Sequence, residues 1–313
     1  MKCLVTGATG FVGRALCERL STNAIDFIAI SRSGGTLVNG QCAYALDLEV
    51  SAVPPQWLAG VETVFHLAGI AHRDAAAHTY EAVNYRATLD LAAAAAAAGV
   101  KNFIYLSSVK AMGSPSGADP RSEDQCVPAT DPYGYYKRQA ELGLQVAYEN
   151  SAMSVVVLRP ALVYGAGAAG NLQLLAKAAR AGIPRPPELG GRSMIAVDDM
   201  AALLVALVRE PAEGFHLWIV CDGNSYSASK VYALMQSALG REPSRSWLPL
   251  WVWRCACALR DLVGRNPRGT SYIKVFGSEN YSNTELLAAV NWRPAYSFED
   301  TVEQIMRGPG TGR

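Results

Sequence analysis

Tyr133 and Lys137 are the two residues of this 313-residue chain whose types and spacing point most directly to chemistry. They stand four positions apart, so on a helix both side chains would lie on one face, about one turn from each other. An ammonium close to a phenol favours the phenolate, and we expect Lys137 to lower the pKa of Tyr133. The pair can then donate and accept a proton near neutral pH.

Ser107 and Ser108 give this pair a candidate partner. They directly follow the apolar run Asn102–Leu106, which predicts a strand. In a parallel sheet that strand would end at the edge where ligands bind, and a hydroxyl there can hydrogen-bond a substrate oxygen beside the tyrosine. The sequence therefore predicts a site that combines a serine hydroxyl with Tyr133 and Lys137.

A glycine-rich loop near the N-terminus predicts a cofactor. Its three glycines follow the predicted strand Lys2–Thr6 and open a predicted helix. The first permits a tight turn, the second lets a pyrophosphate approach the backbone, and the third allows the helix to pack closely on the strand. The N–H groups of the helix N-terminus favour the phosphates. Dinucleotide binding is thus predicted at Gly7, Gly10, Phe11, Val12 and Gly13.

The ends of three further predicted strands are expected to complete the cofactor site. Ser31 and Arg32 follow the second strand, where the sequence has no carboxylate, which favours the 2′-phosphate of NADP(H). NAD(H) stays acceptable if Arg32 only stacks on adenine. Asp47 is expected either to accept from the adenine amino group or to lie in a solvated loop. The remaining predicted contacts are Leu48, Leu67, Ala68 and Gly69, whereas His66 is expected to be a packed strand-end residue.

Apolar runs and helical stretches alternate along the first half of the chain, which predicts an α/β fold built on a doubly wound parallel sheet. A smaller C-terminal α/β substrate domain is expected to follow. We place the dinucleotide-binding domain at residues 1–165 and the substrate domain at 166–313, with parts of 192–222 crossing back to the first. Asp198 and Asp199 precede an apolar helix and are expected to cap its N-terminus.

Composition and charge exclude several functional classes. The chain has 28 Lys and Arg against 27 Asp and Glu and no long basic run, so nothing indicates nucleic-acid binding. The seven cysteines contain no C-x-x-C pair, which argues against a disulfide framework and against a zinc site, and no metal is expected. The N-terminus lacks the apolar stretch of a signal peptide, so we predict a cytoplasmic protein.

The tryptophan-rich run Trp247–Leu259 raises the question of a membrane. The run is too short and too interrupted to span a bilayer, so no integral membrane segment is predicted. We expect a buried or partly buried helix that begins near Pro249, because proline suits a first helical turn. The alternative is a surface that touches a membrane or a partner.

Five motifs, in chain order, carry a resemblance to a known family: TGATGFVG, HLAG, YLSS, Y-x-x-x-K and LRPALVYG. Over nearly its whole length the chain resembles the extended short-chain dehydrogenase/reductase family. Within it the chain is most similar to bacterial UDP-sugar 4-epimerases and to the UDP-4-keto-amino-sugar 4-reductases of O-antigen synthesis. The resemblance implies a Rossmann sheet, a UDP-sugar substrate, a homodimer and a place in lipopolysaccharide biosynthesis.

The resemblance also implies roles for individual residues. Ser108, rather than Ser107, matches the catalytic serine, and Asn84 matches a helix asparagine that supports the active-site lysine through water next to the cofactor. Lys110 stands where many epimerases have a small polar residue. The implied catalytic set is Ser108, Tyr133 and Lys137, and the implied substrate contacts are Ser108, Lys110, Asn171 and Arg192, the last two on the diphosphate.

Hydride transfer between a nicotinamide and C4 of a UDP-sugar is the activity that the resemblance implies. We expect a UDP-4-keto-amino-sugar 4-reductase, because Ser31 and Arg32 favour NADPH, the usual donor for biosynthetic reduction. A UDP-hexose or UDP-N-acetylhexosamine 4-epimerase would use the same residues and is the alternative. A non-catalytic regulator that senses dinucleotide is a remote alternative, since the serine, tyrosine and lysine are all present.

Overall fold

The computed structural model describes residues 1–71, 75–114, 119–168, 170–264 and 267–308. The strands are β1 (Lys2–Thr6), β2 (Asp26–Ser31), β3 (Gly35–Thr36), β4 (Cys42–Ala45), β5 (Thr63–His66), β6 (Asn102–Leu106), β7 (Ser154–Pro160), β8 (Leu162–Tyr164), β9 (Gly191–Ala196), β10 (Phe215–Val220), β11 (Ser225–Tyr226) and β12 (Ser278–Glu279). The α-helices are α1 (Phe11–Thr22), α2 (Pro55–Leu58), α3 (Ala77–Tyr80), α4 (Ala87–Ala97), α5 (Pro132–Tyr148), α6 (Asn171–Arg180), α7 (Val197–Arg209), α8 (Ala228–Ala238), α9 (Leu250–Val263), α10 (Thr270–Phe276), α11 (Thr284–Ala289) and α12 (Phe298–Arg307). A π-helical segment, Glu81–Arg86, joins α3 to α4, and a 3-10 turn, Val109–Met112, follows β6.

The large sheet has eight strands in the order β10-β7-β6-β5-β1-β2-β4-β3. Its strands pair in parallel, except that the short β3 runs antiparallel to β4. This order confirms the predicted doubly wound parallel sheet. The chain winds in opposite directions from β1, since β2 lies on one side of it and β5 on the other. The carboxyl ends of β1 and β5 therefore flank the crevice where such sheets bind ligands.

Two apolar layers cover the large sheet. On one face, α1 and α7 pack through residues such as Leu16 and Leu204, and on the other, α4 and α5 pack through Leu91 and Leu144. The alanines of α4 fit this role, because alanine combines the highest helix propensity with a small side chain that allows a close approach. Both faces of β7 are thus covered, which explains the unbroken apolar run Val155–Leu158 within it.

A second, smaller sheet follows in the chain. It has the order β11-β9-β12, and β8 also pairs with β9. Helices α6, α8 and α12 bury its apolar residues in a separate cluster that includes Tyr164, Tyr232 and Phe298. The chain returns to the large sheet through β10, so residues 191–220 contribute to both sheets. The division into two domains at residue 165 stays a prediction.

Asp198 and Asp199 do not cap α7, so that prediction is wrong. The helix begins at Val197 after Ala196, and both aspartates lie inside its first turn. Asp199 is buried, and its carboxylate accepts the backbone N–H groups of Ala295 and Tyr296 at 2.9 and 3.0 Å. Asp199 therefore fastens the C-terminal segment to α7, a tertiary role that local sequence does not reveal.

The tryptophan-rich segment forms a helix where it was expected, but that helix is largely exposed. Helix α9 begins directly after Pro249, and of its residues only Cys257 and Asp261 are buried. The side chains of Trp251 and Leu262 are 67% and 76% exposed. The expectation of a buried or partly buried helix is thus wrong for most of α9, because only one narrow face packs against α10.

Candidate active site

Ser108 and Tyr133 are brought together at the carboxyl edge of the large sheet. Ser108 follows β6 and begins the 3-10 turn, where its Oγ accepts the N–H of Lys110 at 3.2 Å. Tyr133 lies in the first turn of α5, whose N-terminus is capped by the carboxylate of Asp131 on the N–H of Gly134, at 2.9 Å. The hydroxyl of Ser108 lies close enough to the phenol of Tyr133 to influence its pKa. The structure thus places Ser108, not Ser107, beside the tyrosine.

The pKa of Tyr133 differs from the expectation drawn from its spacing to Lys137. Burial raises the pKa of this phenol to about 12, and the neighbouring hydroxyl of Ser108 opposes that rise only in part. The expectation that Lys137 lowers the pKa of Tyr133 is therefore wrong for the chain without ligands. Desolvation of the phenolate outweighs any favourable charge nearby. In this state Tyr133 is a proton donor.

Lys137 lies one turn further along α5 and is 3% exposed. Its ammonium donates to the carbonyl oxygen of Leu106 at 2.8 Å and lies 4.6 Å from the centroid of the Tyr105 ring. Burial lowers the pKa of Lys137 to about 7, although the nearby carboxylate of Glu141 works in the opposite direction. The lysine can therefore gain or lose its proton near neutral pH.

This lowered pKa predicts a pH dependence of stability for the chain without ligands. Unfolded Lys137 keeps its proton up to the ordinary pKa of 10.5, whereas the folded lysine loses it above about 7. Between these values the unfolded state binds more protons, so the free energy of unfolding rises with pH, by up to about 1.4 kcal/mol per pH unit. We expect urea denaturation between about pH 7 and about pH 8.5 to show this rise in the wild type and not in Lys137→Met. Equal slopes for the two proteins would contradict the prediction.

Asn84 lies beside the lysine, in the π-helical segment. Its side chain binds the backbone of Ile70 twice, accepting the N–H at 2.8 Å and donating to the carbonyl oxygen at 3.1 Å. Both Asn84 and Lys137 converge on Gly69, since a Cβ there would lie 3.1 Å from Asn84 Oδ1 and 3.2 Å from Lys137 Nζ. The predicted contacts Leu67, Ala68 and Gly69 follow β5 and thus lie next to the candidate catalytic residues.

The glycine loop has the geometry that a dinucleotide requires. Gly7 has a φ of +71°, and a Cβ there would lie 2.8 Å from the backbone nitrogen of Ala68. A Cβ on Gly13 would collide with the carbonyl oxygen of Gly7. Gly10 stands at the N-terminus of α1, so no side chain covers the free N–H groups of the first turn, which includes Phe11 and Val12. The loop and the open helix end therefore fit a bound pyrophosphate.

The residues predicted to bind the adenosine half of the cofactor differ in their exposure and in the hydrogen bonds that they already make within the protein. Arg32 is exposed directly after β2, whereas Ser31 is buried and its hydroxyl already donates to the carbonyl oxygen of Gly34 at 2.7 Å. Asp47 follows β4 and its Oδ1 accepts the N–H of Glu49 at 3.0 Å, while Leu48 packs on the apolar core.

His66 is fully buried between the hydroxyls of Thr6 and Thr88, and burial lowers its pKa to about 3, with Lys137 adding to the shift.

Two of the predicted substrate contacts, Lys110 and Arg192, form ion pairs with the same carboxylate, which the sequence analysis did not identify. Glu279 on β12 accepts the ammonium of Lys110 at 3.0 Å and pairs with the guanidinium of Arg192 at 3.4 Å. Arg192 also donates to the carbonyl oxygen of Ile273, in the middle of α10, at 2.9 Å. Asn171 is the first residue of α6, and its side chain lies outside the described part of the structure. Lys110 and Arg192 thus lie on opposite sides of Glu279.

A buried ionic network behind the site was also missed from the sequence. Glu141 and Arg159 are almost completely buried and form a two-pronged ion pair, with nitrogen–oxygen distances of 2.9 and 2.7 Å. Ser107 donates to the same carboxylate at 2.5 Å, and Arg138 donates to it at 3.0 Å. The signal was present, because Glu141 comes one turn after Lys137 on the same predicted helix. A carboxylate on the buried face of a helix requires such partners.

Comparison with known proteins identifies the family. A model of the NAD dependent epimerase/dehydratase family matches residues 3–221. The chain belongs to this family. The UDP-glucose 4-epimerase of Vibrio cholerae is 29% identical, over 96% of this chain and 93% of its own length. An N-acetyl-alpha-D-glucosaminyl-diphospho-ditrans,octacis-undecaprenol 4-epimerase of Escherichia coli O157:H7 is 28% identical, over 79% of this chain and 75% of its own.

Solved structures agree with this membership at the level of the fold. The UDP-glucuronic acid 4-epimerase of Bacillus cereus, in complex with NAD, superposes with a TM-score of 0.76 at 20% identity, and the match covers 98% of both chains.

Membership in the epimerase/dehydratase family confirms the predicted family and makes a nicotinamide dinucleotide the cofactor of this enzyme. The preference for NADP(H) and the homodimer stay predictions. Among the residues that the structure describes, no helix is long and apolar enough to cross a membrane.

Proposed function

We propose that this enzyme is a 4-epimerase that acts on a UDP-sugar. The observation that carries the proposal is the placement of Ser108 beside Tyr133, with Lys137 one turn further along α5 and close to Gly69, next to a glycine loop that fits a pyrophosphate. The relatives and the solved structure compared above are named as 4-epimerases, and the Vibrio cholerae enzyme matches nearly the whole chain. The 4-reductase expected from the sequence has no such support among them.

The chemistry divides between the cofactor and the side chains. A bound NAD supplies a hydride acceptor for C4 of the sugar, and its reduced form returns that hydride. Tyr133 removes the proton of the O4 hydroxyl during oxidation and returns it during reduction, so the protons balance over one cycle. Ser108 holds O4 through its hydroxyl. Epimerisation results when the keto sugar turns over between the two hydride transfers, and no external reductant is consumed.

The protonation states of the chain give Lys137 a role in this cycle. Tyr133 must lose its proton to act as a base, and burial alone raises its pKa to about 12. A protonated Lys137 close to the phenolate stabilises that charge, and its own pKa of about 7 keeps both of its forms populated near neutral pH.

Arg192 and Lys110 are the proposed contacts for the charged part of the substrate. A guanidinium can bind phosphate through two parallel hydrogen bonds, and Arg192 is held in place by Glu279 and by the carbonyl oxygen of Ile273. Asn171 remains a proposed diphosphate contact from the resemblance. Glu279 and the carbonyl oxygen of Ile273 engage the two terminal nitrogens of Arg192, and each of these nitrogens carries a second N–H.

The 4-reductase is the second candidate, and one observation favours it. The exposed Arg32 at the end of β2, with no carboxylate beside it in the sequence, suits the 2′-phosphate of NADPH. A reductase consumes its reduced cofactor in every turnover and must exchange it. An epimerase regenerates NAD and gains by holding it tightly.

One pair of assays separates the two candidates. The purified enzyme is incubated with UDP-glucose, UDP-galactose and their N-acetylated forms without added reductant, and the sugars are analysed by chromatography. It is also given a UDP-4-keto-6-deoxy-hexosamine with NADPH, and the absorbance of NADPH is followed. Interconversion at C4 without reductant supports the proposal. NADPH loss with the keto sugar, together with no interconversion of any sugar in the panel, would overturn it in favour of the reductase.

The cofactor preference is tested at Arg32. The 4-reductase candidate requires the wild type to bind NADPH more tightly than NADH, and Arg32→Ala to reduce NADPH affinity about tenfold or more, because a charge-assisted contact to phosphate contributes at least about 1.5 kcal/mol. NADH affinity should change little. Fluorescence titration of both nucleotides measures these affinities, and Arg307→Ala, an exposed arginine on α12, is the control. Equal weakening of both nucleotides by Arg32→Ala would exclude the phosphate role.

A further inference from the structure

Helix α9 presents an apolar face away from the rest of the protein. Trp251, Cys255, Leu259 and Leu262 recur at intervals of four, four and three residues, which places them on one side of the helix, here called the α9 face. All four are exposed, Trp251 and Leu262 most clearly, as described above. Trp247, just before the helix, is 70% exposed. A soluble surface rarely gathers so many large apolar side chains without a partner.

The opposite side of α9 is already occupied. Cys257 and Asp261 are buried there, and the carboxylate of Asp261 accepts the N–H of Ser271 on α10 at 3.0 Å. Trp253 packs on Phe276 with their ring centroids 6.2 Å apart, and Arg254 lies over the ring of Tyr272. These contacts anchor α9 to the protein through one side and fix the direction of the α9 face.

The segment around the α9 face is strongly basic. Between Pro243 and Ser278 the sequence has six Lys and Arg residues and one acidic residue, Asp261, whereas the whole chain has a formal charge of only +1. Asp261 is the carboxylate that is buried against α10, so it contributes little negative charge to the surface. A basic helix with exposed tryptophan and leucine has the composition of a segment that lies in the interface of an anionic bilayer.

We propose that the α9 face docks on an anionic phospholipid bilayer, parallel to its surface. The tryptophans and leucines enter the boundary between headgroups and acyl chains, and the basic side chains contact the phosphates of the headgroups. A second copy of the chain fits this surface less well. A symmetric dimer would bring the same basic segment against itself, and like charges repel.

Docking would bring the candidate substrate site close to the membrane surface. The carbonyl oxygen of Ile273, on α10, accepts a hydrogen bond from Arg192, so the helix that supports α9 also touches a proposed substrate contact. The docking proposal stands on the exposure and charge of α9 and does not depend on the reaction catalysed.

Vesicle binding by the purified full-length chain tests the proposal. The wild type is expected to float with vesicles that contain phosphatidylglycerol, with at least tenfold weaker binding to pure phosphatidylcholine and to either at high salt. The double variant Trp251→Ser, Leu262→Ser should bind the anionic vesicles at least tenfold more weakly. Val38→Ser with Val50→Ser is the matched control, because both valines are highly exposed outside α9. Arg260→Gln with Arg268→Gln tests the charge contribution, since both arginines are exposed.

Three outcomes would overturn the proposal. One is that the wild type does not bind anionic vesicles, and another is that the two serine double variants bind equally well. The third is a wild-type dimer, measured by light scattering, that becomes a monomer in Trp251→Ser, Leu262→Ser while neither protein binds vesicles. That result would assign the α9 face to a contact between copies of this chain. Circular dichroism of each variant checks that it is folded.

Discussion

Tyr133→Phe is expected to reduce turnover about 100-fold or more, the scale of acid–base catalysis by a positioned side chain. The substitution removes the hydroxyl that exchanges a proton with the substrate and leaves the ring in place. The phenol lies beside the hydroxyl of Ser108 at the edge of the sheet, where the substrate oxygen is proposed to bind. Initial rates of C4 interconversion in the wild type and the variant give the measurement.

Two controls make this result specific. Binding of the nicotinamide cofactor should change little in Tyr133→Phe, because the glycine loop belongs to β1 and α1 and not to α5. Tyr135→Phe is the matched control variant, since Tyr135 lies on the same helix and is 48% exposed. Turnover of Tyr133→Phe within a few-fold of the wild type would contradict the proposed role.

Glu141→Gln is expected to lower the free energy of unfolding by about 3–5 kcal/mol, the usual cost of removing one partner from a buried ion pair. Arg159 would keep its positive charge while completely buried and would lose the carboxylate that both of its nitrogens contact. Arg159 also donates to the backbone oxygen of Glu123 at 2.8 Å, which cannot compensate for the charge. Urea denaturation at constant pH measures the change.

Glu149→Gln, at the exposed end of the same helix, is the control for this experiment and should change stability by no more than about 0.5 kcal/mol. A loss below about 1 kcal/mol in Glu141→Gln would show that the pair is solvated or that Arg159 finds another anionic partner. The outcome also bears on catalysis. Glu141 raises the pKa of Lys137, so its loss should move that pKa still lower.

The large sheet could be predicted from the sequence because its signals are local. Runs such as Asn102–Leu106 and Ser154–Leu158 are apolar on every residue or nearly so, and the glycine loop combines turn and packing requirements within a few residues. These features predict the strands themselves. The order of the strands follows only when the right-handed connection between parallel strands is also assumed. Ser108, Tyr133 and Lys137 could be singled out because strand ends converge at one edge of such a sheet.

The parts that were missed depend on contacts between distant segments. Asp199 is bound by backbone groups nearly a hundred residues later, and Glu279 lies between two side chains from other elements. The pKa of Tyr133 was predicted in the wrong direction, because a spacing of four residues shows proximity to Lys137 but not the depth of burial. Burial was likewise misjudged for α9, since an apolar sequence does not reveal whether a partner element covers it.

The number of residues in the π-helical segment Glu81–Arg86 determines how the site is assembled. It directs the backbone oxygen of Asn84 to two donors, the hydroxyls of Thr88 and Tyr105, at 3.1 and 3.3 Å. Deleting one residue here would restore regular α-helical winding and rotate the preceding turn by about 100°. Tyr80, whose ring centroid lies 6.5 Å from that of Tyr133, would swing away with it. A one-residue deletion in this segment would therefore disorganise the site, although every side chain named in the mechanism would still be present.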